Sequence, residues 1–405
     1  MTANGHPASI PSRAQGHERC PVCDSAAVRV FLEIPDVPVH CNVLCTTAES
    51  AIHAPRGDIC LTFCETCGHT YNSAFDPVRI DYTAAYENSL HFSPRFQEYA
   101  SWLASHLVER HNLRGKQIIE IGCGRGDFLT LLCNVGRNSG IGFDPSYDRQ
   151  NDGSGLGEHI QIIPDFYSSR YSHNKADLIC CRHVLEHMGD PREFLLGLRR
   201  AVGEAPKTVV FCEVPNVLYT LKDLGVWDII YEHHSYFSEQ SLISLFEGTG
   251  FVVHDLSATF GNQFLCLEAG PGPVGTSMDT SQQGLRPLST LVESFGEAYR
   301  KKLEEWNLRL KELLNHHRRV VVWGAGSKGV TFLNTVQWAK HIAGIVDINP
   351  RKVGKYVVGT GHRIDSPSAL MQLDPDAVIM MNANYMEEVA ALLDHMNIQT
   401  QLLVA

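Results

Sequence analysis

The densest run of proton-handling side chains in this sequence is WDIIYEHHSYFS, residues 227–238. It sets Tyr231, Glu232, His233, His234 and Tyr236 side by side. Histidine titrates near ~6.5, so it can take up or return a proton at neutral pH, and an adjacent carboxylate can orient the ring or bind a hydroxyl. A solvated loop with buried ring stems is the bland alternative. The position of the run, downstream of a glycine-rich turn and several acids, favours chemistry. Two more histidines lie in KADLICCRHVLEHMGDP, residues 175–191, after a strand-like run. His187 falls at the carboxyl edge expected to bind ligands in an open α/β sheet, while His183 suits packing equally well. DYTAAYENSLHFS, residues 81–93, reads as a lid with Tyr82 or Tyr86 inside.

A second constellation suits a nucleoside ligand. KQIIEIGCGRGDFLTLL, residues 116–132, is an apolar run, a glycine-rich turn and a helical run. Gly122, Gly124 and Gly126 let the backbone turn tightly and a ligand come close. Glu120 precedes the turn and Asp127 opens the helix. Asp144 ends the next strand, where an acid can accept from ribose hydroxyls. Asp165 is placed to accept from an adenine amino group, with Phe166 beside the ring. A bare GxGxG also suits NAD, or merely makes turns; four pieces in this order narrow the choice.

The third constellation is Cys20-x-x-Cys23 with Cys64-x-x-Cys67. Two such knuckles can surround one tetrahedral zinc, and a segment this small has little core without it, so the expected role is structural. Cys41, Cys45 and Cys60 compete on paper, with Cys41 and Cys45 read as core. A fourth feature is RRVVVWGAGSKG, where Gly324, Gly326 and Lys328 form a strand-to-helix turn able to cradle phosphate, with Asp347 ending the following strand.

The elements that must position these groups fill 405 residues, enough for two or three domains. A tail (1–18), a zinc-binding segment (19–75), a central α/β domain (76–285) and a second α/β domain (286–405) are expected. Residues 270–284 read as a linker, and a long amphipathic helix follows from about Leu288 to His317. Hydrophobic residues make up 44% and the net charge is −11, which argues against nucleic acid or an anionic membrane as partner. No apolar signal or spanning segment is evident, so a cytoplasmic setting with reduced thiols is expected.

The order of the central motifs resembles the class I S-adenosylmethionine (SAM) dependent methyltransferases; Asp127 stands where dinucleotide enzymes usually carry a third glycine. Taken with CPVC…CETCGH, YEHHSYFS and VVVWGAGSKG…VDINPRKVGK, the chain resembles, from Cys20 onward, the three-domain sugar C-methyltransferases acting on nucleotide-linked 4-keto-deoxysugars. That resemblance implies a zinc-binding head, a Rossmann-like SAM domain and a C-terminal Rossmann-like domain. It implies His233 as the base with Glu232 beside it, His187 and Tyr86 near the acceptor, and Tyr231 as a further candidate. His233 would remove the C3 proton that the carbonyl acidifies; His187, Tyr86 or Tyr231 would steady the enolate. An O-methyl acceptor would use the same histidine. The C-terminal turn would hold the substrate's nucleotide diphosphate, serve as scaffold, or bind NAD in an oxidoreductase. A zinc-headed binding protein with an inactive SAM fold is a further alternative. The chain departs from the family at Ile230, at Tyr231 and at Gly261-Asn262-Gln263, where Asn262 is a substrate-binding candidate.

Overall fold

The computed structural model describes residues 18–80, 86–148, 156–203, 207–272 and 285–405. The expected tail (apart from Glu18), Tyr82 and most of the expected linker lie outside them.

The chain first lays down β1 (Val28–Pro38), β2 (Arg56–Cys64) and β3 (Thr70–Asn72) as an antiparallel sheet. The central sheet begins with β4 (Gln117–Ile121), β5 (Ser139–Phe143), β6 (Ile160–Ile163), β7 (Leu178–Arg182) and β8 (Val209–Pro215), all parallel. β9 (Ser235–Tyr236) then returns to the first sheet and pairs with β3, through Thr70 with Tyr236 and Tyr71 with Ser235. A hairpin of β10 (Phe251–Thr259) and β11 (Phe264–Pro271) completes the central sheet in the order β10-β11-β8-β7-β4-β5-β6. β10 and β11 run antiparallel to each other, because a short turn can join consecutive strands only in that sense, and β11 runs antiparallel to β8. β12 (Val320–Trp323), β13 (Gly344–Val346), β14 (Ile364–Asp365), β15 (Ala377–Met380) and β16 (Gln401–Val404) form a parallel sheet in the order β14-β13-β12-β15-β16.

Local sequence explains these elements. β7 (LICCR) and β12 (VVVW) are buried at every position, the continuous apolar signature of a strand covered on both faces. The helix Pro191–Val202 starts where Asp190 accepts from Glu193 N–H and proline occupies the first turn, satisfying an otherwise orphaned donor. The helix Leu285–Asn315 buries Leu288, Val292, Phe295, Tyr299, Trp306, Leu310 and Leu313 along one stripe. It packs on the first sheet, where Phe31 meets Phe295 edge-on, and one core cluster runs from Leu32 and Phe63 through Trp306 to Val322 and Ile379. The cysteine-rich segment therefore shares its core with the C-terminal domain. In both α/β domains the strand order reverses beside a glycine-rich turn, next to β4 and next to β12, and ligands bind at such switch points.

Candidate active site

Both switch points open into one cavity of about 840 Å³. Glu120, Gly122, Gly124, Asp144, Asp165 and Phe166 line its first half; Gly324, Gly326 and Lys328 line the far half. His187, His233 and Tyr86 line it as well.

In the first half, Gly122 has φ +70, and a Cβ there would lie 2.1 Å from Val184 Cγ2, so only glycine fits. Gly124 N–H donates to Asp144 Oδ2 (2.7 Å), while Ser146 holds the other oxygen through N–H (2.9 Å) and hydroxyl (2.6 Å). Asp165 accepts from Phe166 N–H (2.9 Å), the Tyr171 hydroxyl (2.5 Å) and Arg170. Phe166 is 64% exposed and forms rim rather than wall. Glu120 is 3% exposed and its Oε2 accepts no hydrogen bond among the described residues. Burial raises its carboxyl pKa to about 8 despite the Arg182 guanidinium. A buried, unmatched acid on the wall suits a cationic ligand, and a sulfonium nucleoside with an ammonium group is one.

The middle of the cavity holds the histidines. The rings of His187 and His233 lie 4.9 Å apart, nearly perpendicular. His187 Nδ1 donates to the Glu232 carbonyl (2.9 Å), which fixes the orientation of the ring. Burial, then the charges of His187, Lys328 and His183, push the His233 pKa well below the ordinary imidazole value, so it is a neutral acceptor at physiological pH. His183 lies 2.7 Å from Glu213 and 3.6 Å from Glu186. Burial opposes its protonation, but Glu213 and Glu186 prevail and raise its pKa to about 9. Glu213 also binds Arg182 (2.8 Å) and Tyr99. The far half holds three basic side chains, two of them paired with acids: Lys328 pairs with Asp228, Arg351 binds Glu87 (3.1 Å), and Lys352 Nζ donates to Ala325 O (3.3 Å).

Four expected site residues sit elsewhere. Tyr231 is buried against Phe75, 5.7 Å between rings, and its hydroxyl accepts from Asp76 N–H (3.0 Å); it faces the head core. The Glu232 carboxylate is fully buried and accepts from Cys41 N–H (2.9 Å), pointing away from the cavity. Gly126, at φ +81, is the N-cap of the helix Asp127–Gly136 and does not line the cavity. Asn262 (φ +65) belongs to the β10–β11 turn, where its carbonyl accepts from Asn216 Nδ2 (3.0 Å); the neighbouring Gln263 lines the cavity instead. Glu186, Asp228, Arg351 and Lys352 also line the cavity and were not expected. Each lies within or beside a motif, but spacing alone did not single it out.

In the head, the sulfurs of Cys20, Cys23, Cys64 and Cys67 lie within 4.8 Å of one another, with Cys20–Cys67 and Cys23–Cys64 at 3.6 Å. Four thiolates at about 2.3 Å from a tetrahedral zinc would stand ~3.8 Å apart, so the set fits the metal.

Residues 92–256 match a family model described as a methyltransferase domain, and residues 279–405 match the C-methyltransferase C-terminal domain. The chain is 26% identical over 304 residues to the C-methyltransferase NovU of Streptomyces niveus, 70% of each chain. Among solved structures it is similar to the N,N-8-amino-8-demethyl-D-riboflavin dimethyltransferase RosA of Streptomyces davawensis, with TM-score 0.36 and 18% identity. That match covers 44% of this chain and 56% of the other. The magnesium protoporphyrin IX methyltransferase ChlM of Synechocystis PCC 6803 with bound SAH gives TM-score 0.34 and 18% identity over 44% and 84% of the two chains. Among the described residues no helix is long and apolar enough to cross a membrane.

Proposed function

We propose, from the premise that this chain is a SAM-dependent methyltransferase of the C-methyltransferase family, that its acceptor is a 4-keto-deoxysugar carried on a nucleoside diphosphate. The observation that carries this reading is the single cavity whose two ends suit different ligands. One end offers Glu120, Gly122, Gly124, Asp144 and Asp165, and the other a glycine-rich loop flanked by Lys328, Arg351 and Lys352, with His233 and His187 between them.

When bound, SAM supplies an electrophilic methyl on a sulfonium. The residues of this chain do the rest. Asp144 and Asp165 hold the nucleoside hydroxyls and amine, and Glu120 faces the positive end. The C-terminal loop, with its helix N-terminus and cations, anchors the acceptor's diphosphate and so orients its sugar towards the histidines. His233, buried and neutral, takes the proton next to the carbonyl. His187 and Tyr86 flank the site where oxyanion charge grows. Four cysteines would hold a structural zinc in the head, outside the cavity lining.

Calorimetry of the purified protein with SAH, NAD and a dTDP-4-keto-deoxysugar tests the reading, followed by mass analysis of the acceptor after incubation with SAM. SAH and the nucleotide sugar are expected to bind together, NAD not at all, and the sugar to gain one methyl on carbon. No SAH binding, or NAD binding at the C-terminal loop, would sink it.

A further inference from the structure

A buried histidine that accepts a proton must bear a positive charge where water cannot help, and the surroundings of His233 make this harder. The His187 ring stands beside it and Lys328 and His183 add positive potential. Two neighbouring carboxylates are directed elsewhere: Glu232 lies outside the cavity, with Oε2 on Cys41 N–H and Oε1 3.6 Å from His40 Nδ1, and Asp228 pairs with Lys328. Glu186, on the turn Leu185–His187, lines the cavity at 1% exposure, and its Oε2 accepts no hydrogen bond among the described residues. A carboxylate oxygen of Glu186 and ring nitrogens of His187 and His233 all lie within 4.8 Å of one another. Its Oε1 lies 3.6 Å from His183 Nδ1. His183 itself takes φ +54, a left-handed conformation uncommon outside glycine, with its N–H on the Glu213 carbonyl (2.8 Å) and its ring beside the Glu213 carboxylate (2.7 Å).

We propose that Glu186 is a positioning residue: the carboxylate that steadies the imidazolium forming on His233 as the acceptor loses its proton, with His183 holding Glu186 in place. This rests on the reading of His233 as the base. In the step, the acceptor C–H bond breaks, the proton goes to a ring nitrogen of His233, and the electron pair spreads onto the carbonyl oxygen. The carbon then bonds to the methyl as the methyl–sulfur bond breaks and its pair stays on sulfur. Glu186 neither gains nor loses a proton. A carboxylate that orients and balances a catalytic imidazole without being protonated is a known device in hydrolases.

The test separates proton removal from methyl transfer. The holoenzyme is incubated in D2O with SAH and the dTDP-ketosugar, and deuterium entry beside the carbonyl is followed for wild type, Glu186→Gln and Glu186→Asp. Glu186→Gln is expected to slow exchange on the order of 10- to 100-fold while SAH affinity stays within about twofold, and Glu186→Asp to recover part of the loss. Exchange by Glu186→Gln at the wild-type rate, with SAH still bound, overturns the proposal alone. So does a second metal equivalent per chain that disappears in Glu186→Gln, since the three residues would then be ligands. Wild-type protein that binds SAH and sugar but never exchanges the proton overturns the C-methylation reading and the proposal together.

Discussion

Replacing Glu120 by glutamine should make the ligand-free protein more stable and the cofactor bind worse. The Glu120 carboxyl is buried and its pKa is raised to about 8 from an ordinary 4.5. A folded state that holds a proton more tightly than the unfolded chain loses stability as pH rises between the two values, at about 1.4 kcal/mol per unit. Glu120 therefore costs nothing below about pH 4.5, up to roughly 3 kcal/mol at pH 7, and reaches its full cost above pH 8. Glutamine keeps the shape without titrating. Thermal melts of ligand-free protein from pH 5 to 8 should show wild type falling relative to Glu120→Gln, with the gap widening to several degrees at pH 8. Binding should behave in the opposite sense. The ammonium group of SAH prefers the carboxylate, so SAH affinity of wild type should climb by up to about tenfold per unit from pH 6 to 8 and then level off. Glu120→Gln should bind weakly with no such slope. Parallel melting curves, or equal SAH affinity at pH 8, would refute the assignment of this carboxylate to the cofactor.

Three further outcomes follow from the site. His233→Ala should lower kcat at least about 100-fold while SAH affinity stays within twofold, because the ring lines the acceptor part of the cavity; this is read by methyl transfer and calorimetry side by side. Lys328→Met should raise KM for the nucleotide-linked acceptor about tenfold, with the difference from wild type shrinking at high salt, since a phosphate contact is screened; steady-state kinetics at two ionic strengths check it. Cys64→Ser should abolish the expected one zinc per chain, measured by elemental analysis, and lower the melting temperature, because Cys64 closes β2 within the head.

The parts of this site that the sequence disclosed are local ones. A buried strand, a glycine turn and a helix leave their pattern within some seventeen residues, so Glu120, Gly122 and Gly124 could be placed before any coordinates, as could Gly324 and Gly326. The cysteine pairs are legible for the same reason. What stayed hidden depends on contacts far apart in the chain. Spacing could not tell which side chains of YEHHSYFS face the ligand, because the pairing of β9 with β3 decides it. That pairing puts His234 against Tyr71 and Phe75, and the same fold stacks Tyr231 on Phe75. Glu186 was equally hidden: it lies beside a recognised histidine, but its closeness to both His187 and His233 appears only in the folded chain.

The β9–β3 pairing also gives the cysteine head a part in the chemistry without a place in the cavity. Cys64 ends β2, Cys67 follows on the turn, and β3 begins three residues later. β3 then fixes β9, and His233 lies two residues before β9. The His234 carbonyl accepts from Asn72 N–H (2.8 Å), and His234 Nδ1 donates to Met188 O (2.9 Å), which ties the same segment to the loop carrying His187. A metal clamp on the four sulfurs would thus tighten a short path, covalent from β2 to β3 and hydrogen-bonded from β3 to β9, that ends at the proposed base. The strands of the head share one apolar core with the C-terminal domain, while Cys20, Cys64 and Cys67 pack in the same core as Ile119 and Ile121 of β4, so loosening the clamp would act on the acceptor space and on the strand beneath the cofactor loop alike. The head thus fixes where His233 stands through β3 and β9, and shares with the central sheet the core beneath the glycine-rich turn.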